Sequence, residues 1–469
     1  MHDRNQDVIA LTHVCRTWRE IFTSRSSLWA NFDCEDADKT RVYLERSKTS
    51  PINLLLGGNP DMPPRALFFQ VIPHATTRLK CLIIRGTSEK LRDIAKELSH
   101  PAPLLETLTI EVECGCSLHC NAPLTPALFN GGLSSLRTLH LYSVYTELPW
   151  RNMVSLTSFM LGFTSPGNVS LGHLLDFLEG APHLRNVQLY SATSTSDAQN
   201  GRLVSLACLK RMVILGNEPS SPLLDHLLIP VGAKLTTRVG ADLFDSTLEG
   251  SVLNGHLPKS LDNLRNLSDF TKICLRVSVP YARIRFSGPN GRVNTVPMTP
   301  QIAPTRRVFE SLARFDTSKT ERLKIVGGSL LDSCSVHRAL LRMKDLRVLT
   351  ISRSKNIFAL IDTLCDHVVC PNLEEVVLEP REGGEKFDIQ KVIGMAAKRA
   401  SRGAKLKSLR IVGGDRSVQI RASGLEEHVS HVEFGPGVAA VGDDSDDSDV
   451  SDNSDDSDFT ESDSSDEED

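Results

Sequence analysis

LETLTI (105–110), LRTLHL (136–141), LRVLTI (346–351), LEEVVL (373–378) and LKSLRI (406–411) are copies of one six-residue phrase, apolar at its first, fourth and sixth positions. Looser copies are LKCLII (79–84), LTSFML (156–161), LRNVQL (184–189), LKRMVI (209–214) and VSHVEF (429–434). Neighbouring copies start 26, 31, 20, 28 and 25 residues apart in the first half, and 27, 33 and 23 apart from residue 346 onward. The last three positions of each phrase alternate large and small or polar residues, the pattern of a short strand with one buried face.

Between the phrases lie stretches of helical spacing. Residues 89–98 place Leu91, Ile94, Ala95 and Leu98 on one stripe, and residues 171–180 do the same with Leu171, Leu174, Leu175 and Leu178 ahead of Gly180. Residues 357–368 and 388–400 repeat the arrangement, and Pro101, Pro103, Pro182 and Pro371 stand just before the next phrase. A recurrence of about 20 to 33 residues around L-x-x-L-x-L is the signature of leucine-rich repeats. The expected fold is therefore α/β: an irregular leucine-rich-repeat solenoid with parallel strands on the concave face and helices on the convex one. Such a surface holds another protein.

From 216 to 320 the phrase fades, with FTKICL (270–275) the best candidate. RIRFSGPNGRVNTV (283–296) predicts a hairpin turning at Gly288-Pro289-Asn290-Gly291. Three regions follow: a short helical segment over 1–50, the repeat region over 51–437 with a possible hairpin insertion near 280–300, and an acidic tail over 438–469.

Charge is divided unevenly. Residues 443–469 hold 15 acidic residues and no Lys or Arg, which leaves 53 basic against 43 acidic residues in 1–442. With one Phe and one Val, the tail has too little apolar surface to offset the entropy of ordering. Ser445, Ser448, Ser451, Ser454 and Ser457 recur every third residue, and Thr460 continues the series. Thr460, Ser464 and Ser465 each have an acidic residue three positions on, so acidophilic phosphorylation of these three, with Ser457 next, is expected. A basic cluster (Lys391, Lys398, Arg399, Arg402, Lys405, Lys407 and Arg410) stands near the end of the repeats.

No apolar run approaches the roughly 18 residues of a membrane span, and the N-terminus lacks the apolar core of a signal peptide. The eleven scattered cysteines suit reduced thiols, hence a cytoplasmic or nuclear protein without membrane partners. CGCSLHC (114–120) gathers Cys114, Cys116, His119 and Cys120, but no second pair stands at a zinc-ligand distance, so it is read as a loop. Cys365, His367 and Cys370 are read as packing residues. No phosphate-binding loop, dinucleotide fingerprint or nucleophile elbow occurs, so neither catalysis nor a cofactor is expected. The basic residues are not interleaved with aromatics, which argues against nucleic acid.

Before the repeats, IALTHVCRTWREIFTSRSSLWANFDC (9–34) places Leu11, Val14, Cys15, Trp18, Ile21 and Phe22 on one helical face, followed by Leu28 and Trp29. Read by itself, this is a helical cap for the first repeat. The string V-C-R-x-W-R, a spacer, then S-S-L-W resembles the second half of an F-box. DADKTRVYLERSKTSPINLLL (36–56), CPNLEEVVLEP (370–380) and AAKRASRGAKLKSLRIV (396–412) are similar to the rest of divergent fungal F-box-like proteins with leucine-rich-repeat-like solenoids. The family's F-box opens with a Leu-Pro pair and an apolar helix; the seven residues ahead of this helix contain neither, so the first half of the F-box is expected to be missing.

The resemblance implies a non-catalytic substrate receptor of a Skp–cullin–F-box ubiquitin ligase. A Skp-type adaptor would bind the F-box if it is complete, and a protein substrate would lie on the repeats. Leu11, Val14, Trp18, Leu28 and Trp29 are the matching adaptor-binding or F-box-core positions. Two alternatives stay open: a leucine-rich-repeat scaffold that binds no adaptor, and a nuclear binder of basic proteins through the acidic tail.

Overall fold

In the computed structural model, residues 8–435 are described apart from connecting stretches, the longest being 58–74, 113–121, 192–200, 240–252 and 414–421. CGCSLHC, His367 and the acidic tail with its phosphorylation positions lie outside the described residues. Seventeen strands form one sheet. In chain order they are β1 (Asn31–Asp33), β2 (Ile52–Leu56), β3 (Leu79–Gly86), β4 (Thr107–Val112), β5 (Thr138–Tyr142), β6 (Ser158–Gly162), β7 (Asn186–Tyr190), β8 (Arg211–Gly216) and β9 (Lys234–Val239). Then follow β10 (Lys272–Ser278), β11 (Tyr281–Gly288), β12 (Gly291–Val296), β13 (Arg322–Gly327), β14 (Val348–Ser352), β15 (Glu375–Glu379), β16 (Leu406–Val412) and β17 (Val429–Gly435).

Strands β1 to β9 pair successively in parallel, as do β13 to β17. Between the two blocks the chain runs out of order. β12 pairs with β9, β10 pairs with β13, and β11 lies between them antiparallel to both. The expected hairpin is thus a three-stranded meander that joins the two parallel blocks into one ladder.

Seven of the phrases are entered through the same turn. In each, the N–H of the first residue donates to the carbonyl three residues earlier: Leu105 to Ala102, Leu136 to Leu133, Leu156 to Met153, Leu184 to Ala181, Leu209 to Leu206, Leu346 to Met343 and Leu373 to Cys370. Pro103, Pro182 and Pro371 occupy the second position of such turns, where a φ fixed near −65° is pre-set. The next N–H then donates to the neighbouring repeat, as Arg137 does to the Glu106 carbonyl and Arg185 to that of Thr157. Strand exits adopt the left-handed region at Gly57, Ser143, Ser191, Gly327, Arg353 and Gly413. At Gly327 a side chain is also excluded by space, because a Cβ there would overlap the Val277 carbonyl oxygen.

The apolar positions of the phrases form the core. Leu105, Leu108, Ile110, Leu136, Leu139 and Leu141 are all buried, each contributing about 2 kcal/mol by area. Phe270, Ile273 and Leu275 confirm FTKICL as a genuine copy. Two strands escape the pattern because threonine takes a core position: Thr237 in β9 and Thr295 in β12 are fully buried where other phrases carry Leu or Ile.

Helices stand between strands and close the same core. The helix Leu171–Glu179 (α3, counting Arg16–Ser24 as α1 and Ala37–Ser47 as α2) is capped by Ser170, whose Oγ accepts from the His173 N–H, and it ends at Gly180. Its predicted leucine stripe is buried, with Phe177 added. Helices α4 (Pro304–Ser311), α5 (Ser333–Arg342), α6 (Ile357–Leu364) and α7 (Ile389–Ser401) pack against one another in order. α6 stops at Leu364, four residues short of the expected end.

The end of α6 is held by a buried cation. Arg399 on α7 is inaccessible to solvent and donates to the carbonyls of Leu364 (3.3 Å), Val369 (3.1 Å) and Cys370 (2.9 Å). It therefore leaves the basic cluster read from the sequence. The cluster's other members disperse: Lys391 lies over the Phe358 ring, Lys407 pairs with Glu374 and Arg410 with Glu433. Replacing Arg399 by Met would strand three carbonyls, and a loss of about 3 kcal/mol in urea unfolding is expected.

His256 is also buried, with neither ring nitrogen hydrogen-bonded among the described residues. Burial lowers its pKa from 6.5 to about 4. The unfolded state then binds the extra proton between those values, so stability is constant above pH 6.5 and falls as pH drops toward 4. The gap corresponds to about 3 kcal/mol. Between pH 7 and pH 4 the wild type should lose that much more than His256→Leu, as read by denaturant titrations at each pH.

Candidate interaction surfaces

Two surfaces stand out, one apolar and one charged. At the N-terminus, the single helix expected over 9–22 is broken at His13–Cys15. Residues 8–12 form one helical turn, and α1 restarts with Cys15 as N-cap, its Sγ accepting from the Trp18 N–H at 3.5 Å. None of the residues of α1 is buried. Two polar links fix it: Arg19 Nε donates to the Thr12 carbonyl (2.9 Å), and Trp29 Nε1 donates to the Phe22 carbonyl (2.8 Å).

The sequence-derived positions therefore divide. Trp29 is fully buried, with Tyr43 edge-on at 5.0 Å and the Arg46 guanidinium 4.3 Å over its ring. Leu28 is partly buried against the core, and Leu11 is half-buried. Val14 (60% exposed) and Trp18 (43%) face solvent, and Ile21 (47%), on the same helical face, joins them. Val14, Trp18 and Ile21 are thus turned away from the core. Trp29 and Phe32 belong to the core, Val8, Ile9 and Leu28 pack against it, and β1 pairs with β2 in the sheet. Among the described residues nine large apolar side chains are exposed, and three of them fall within these eight residues while the rest are dispersed.

The second surface is the face of the sheet opposite the core. On the outer strands its cations meet carboxylates in register: Arg85 with Glu111 across β3–β4 (2.9 Å) and Arg410 with Glu433 across β16–β17 (3.6 Å). Within β16, the ammonium of Lys407 hydrogen-bonds Glu374 at 2.8 Å and holds that carboxyl below its ordinary range.

The centre differs. Strands β8 to β13 carry ten Lys and Arg residues and no Asp or Glu. Their alternation with the buried residues puts all ten on the face away from the core. Like charges stand in register: Arg211 beside Lys234, Lys234 beside Arg292, Lys272 beside Arg322, and Arg276 opposite Arg283. Arg238, Arg285 and Lys324 extend the same strip. Six of the ten also engage other groups of the chain, Arg276 and Arg285 among them. Like charges directly opposite one another destabilise a sheet, so this strip costs stability that the paired outer strands avoid.

Sequence reading missed the strip because it spans residues 211–324 and depends on the out-of-order meander. A signal was present in the i, i+2 basic spacing of RIRF (283–286) and RLK (322–324), which puts both cations on one face of a strand.

Among the described residues no group of His, Cys, Asp and Glu could hold a metal ion, and no helix is long and apolar enough to cross a membrane. Burial raises the Cys370 thiol to about 12 and also raises that of Cys365, so both are poor nucleophiles. Comparison with protein-family models finds no match, and neither does comparison with curated proteins.

If the like-charge register is a net cost, Arg283→Glu should convert one repulsive cross-strand pair into an attractive one. A stability gain of about 0.5–1 kcal/mol is expected at low salt, shrinking at 1 M salt. Thermal unfolding at the two ionic strengths reads it.

Proposed function

We propose that this chain is a non-catalytic substrate receptor of the F-box type, in which the N-terminal helix docks a Skp-type adaptor and a leucine-rich-repeat solenoid presents a protein substrate on its concave face. The observation that carries the reading is the outward apolar face of Val14, Trp18 and Ile21 beside a fully anchored Trp29. A helix tied down through Arg19 and the Trp29 indole, with its apolar side chains left in water, is built to complete a surface with another protein. The core positions of the F-box-like string, Leu28 and Trp29, hold that helix on the repeats.

The parallel ladder supports the other half. Each strand gives one face to the core and leaves the other to a partner, across many repeats. In this reading the Cys, His and Asp residues have no catalytic duty, and ubiquitin chemistry belongs to the other ligase subunits.

The test is a pull-down of the full chain on purified Skp-type adaptor. Binding is expected, with a loss of tenfold or more in Val14→Asp and in Trp18→Ala and no change in circular dichroism, since neither side chain is buried. Absence of binding by the wild type would leave a repeat scaffold without adaptor, the second reading that the exposed helix face has to outweigh.

A further inference from the structure

The sheet ends in two unlike edges. At the first, β1 is three residues long and packs against α2. At the last, β17 runs for seven residues, and among the described residues β16 is the one strand paired with it. We propose that β17 is a homodimer interface: a second copy of this chain adds its own β17 antiparallel, across a two-fold axis at Val432, and joins the two ladders into one sheet. The proposal does not depend on the adaptor reading.

The backbone is the first support. The Gly435 carbonyl accepts from the Gly413 N–H (3.1 Å), so in the parallel register with β16 the N–H and C=O groups of His431, Glu433 and Gly435 turn inward. Those of Ser430, Val432 and Phe434 therefore turn outward, a row of donors and acceptors that templates another strand. Edges that must stay single are blunted by Lys, by Pro or by brevity, and VSHVEFG (429–435) has none of these.

The core is the second. Val432 and Phe434 are only partly buried against it, whereas Leu409 and Ile411, beside them in register, are inaccessible to solvent. A solenoid needs its end repeat covered, and an added strand carrying its own core on the same side covers these two.

Self-complementarity selects the occupant. With Val432 on the axis it meets the partner's Val432, Ser430 meets the partner's Phe434, and His431 meets the partner's Glu433. The last contact sets an imidazole donor against a carboxylate, and symmetry provides it twice. All the outward backbone groups then pair, in about six hydrogen bonds. Moving the axis to Glu433 would instead oppose two carboxylates. An axis perpendicular to the sheet keeps both cores on one side. Parallel pairing, with the axis along the strands, would turn the cores to opposite faces and lay the two acidic segments 443–469 side by side. In the antiparallel pair the two chains leave β17 about 20 Å apart, well beyond the Debye length of about 8 Å.

Sedimentation velocity of the full chain over about 1 to 100 μM should show a monomer–dimer equilibrium. Val432→Pro removes an outward N–H without touching the pairing to β16, and should weaken the dimer tenfold or more with circular dichroism unchanged. His431→Lys should dimerise more tightly than His431→Glu, which faces a carboxylate at both contacts. A wild type that stays monomeric overturns the proposal, as does a dimer that Val432→Pro leaves intact or equal affinities of the two His431 variants. Hydrogen exchange on the unaltered chain removes any dependence on how a variant folds: the amides of Ser430, Val432 and Phe434 should exchange more slowly as concentration rises. Slow exchange at every concentration would mean that residues beyond Gly435 of the same chain take the edge, and it overturns the proposal, as does fast exchange throughout.

Discussion

Everything in this molecule depends on one constraint: the backbone of each strand finds its hydrogen-bond partners only in the strands beside it. The turn that closes on Leu105, Leu136 or Leu373 sets the height at which each strand begins, and the next N–H donates sideways to the previous repeat. Register is thereby passed from one repeat to the next. Because side chains alternate at a period of two, a register error of one residue would put a whole leucine set in water. The buried phrase positions and the ladder enforce each other. The same logic explains the meander at 272–296. Two parallel blocks could not share a core unless something paired the far edge of β9 and the near edge of β13, and β12, β11 and β10 supply those pairs.

A ladder that buries one face leaves the other to be specified separately. The outer strands do so neutrally, with Arg85 on Glu111 and Arg410 on Glu433. The central strands do so with one sign only. Cross-strand neighbours such as Arg276 and Arg283 stand directly opposite each other in that register.

The N-terminal segment shows the same division of labour on a smaller scale. Trp29 and Phe32 continue the core, with the indole N–H satisfied by the Phe22 carbonyl, while α1 hangs outside on polar contacts. A short helix with no buried residue is marginal in water unless its neighbours hold it. Here Arg19 and Trp29 do, and the apolar face that would ordinarily drive packing is left outward.

The amino-acid sequence by itself determined the repeat: the L-x-x-L-x-L phrases, the proline turns before them, the leucine stripe of 171–179 and the hairpin at Gly288–Gly291. All of these are set by contacts within a few residues or by side-chain periodicity, which a sequence displays directly. It hid β9, because Thr237 sits buried where the pattern calls for Leu or Ile. It presented Arg399 as a surface cation, because nothing local reveals that three carbonyls from another turn close around it. It showed an apolar face on residues 11–22 without showing which way the face points, since that is decided by Cys15 breaking the helix and by the Trp29 anchor. The basic strip was decided by the tertiary structure alone. Its members lie up to 113 residues apart in the chain, and only the register of a ladder with a reversed meander brings them onto one face.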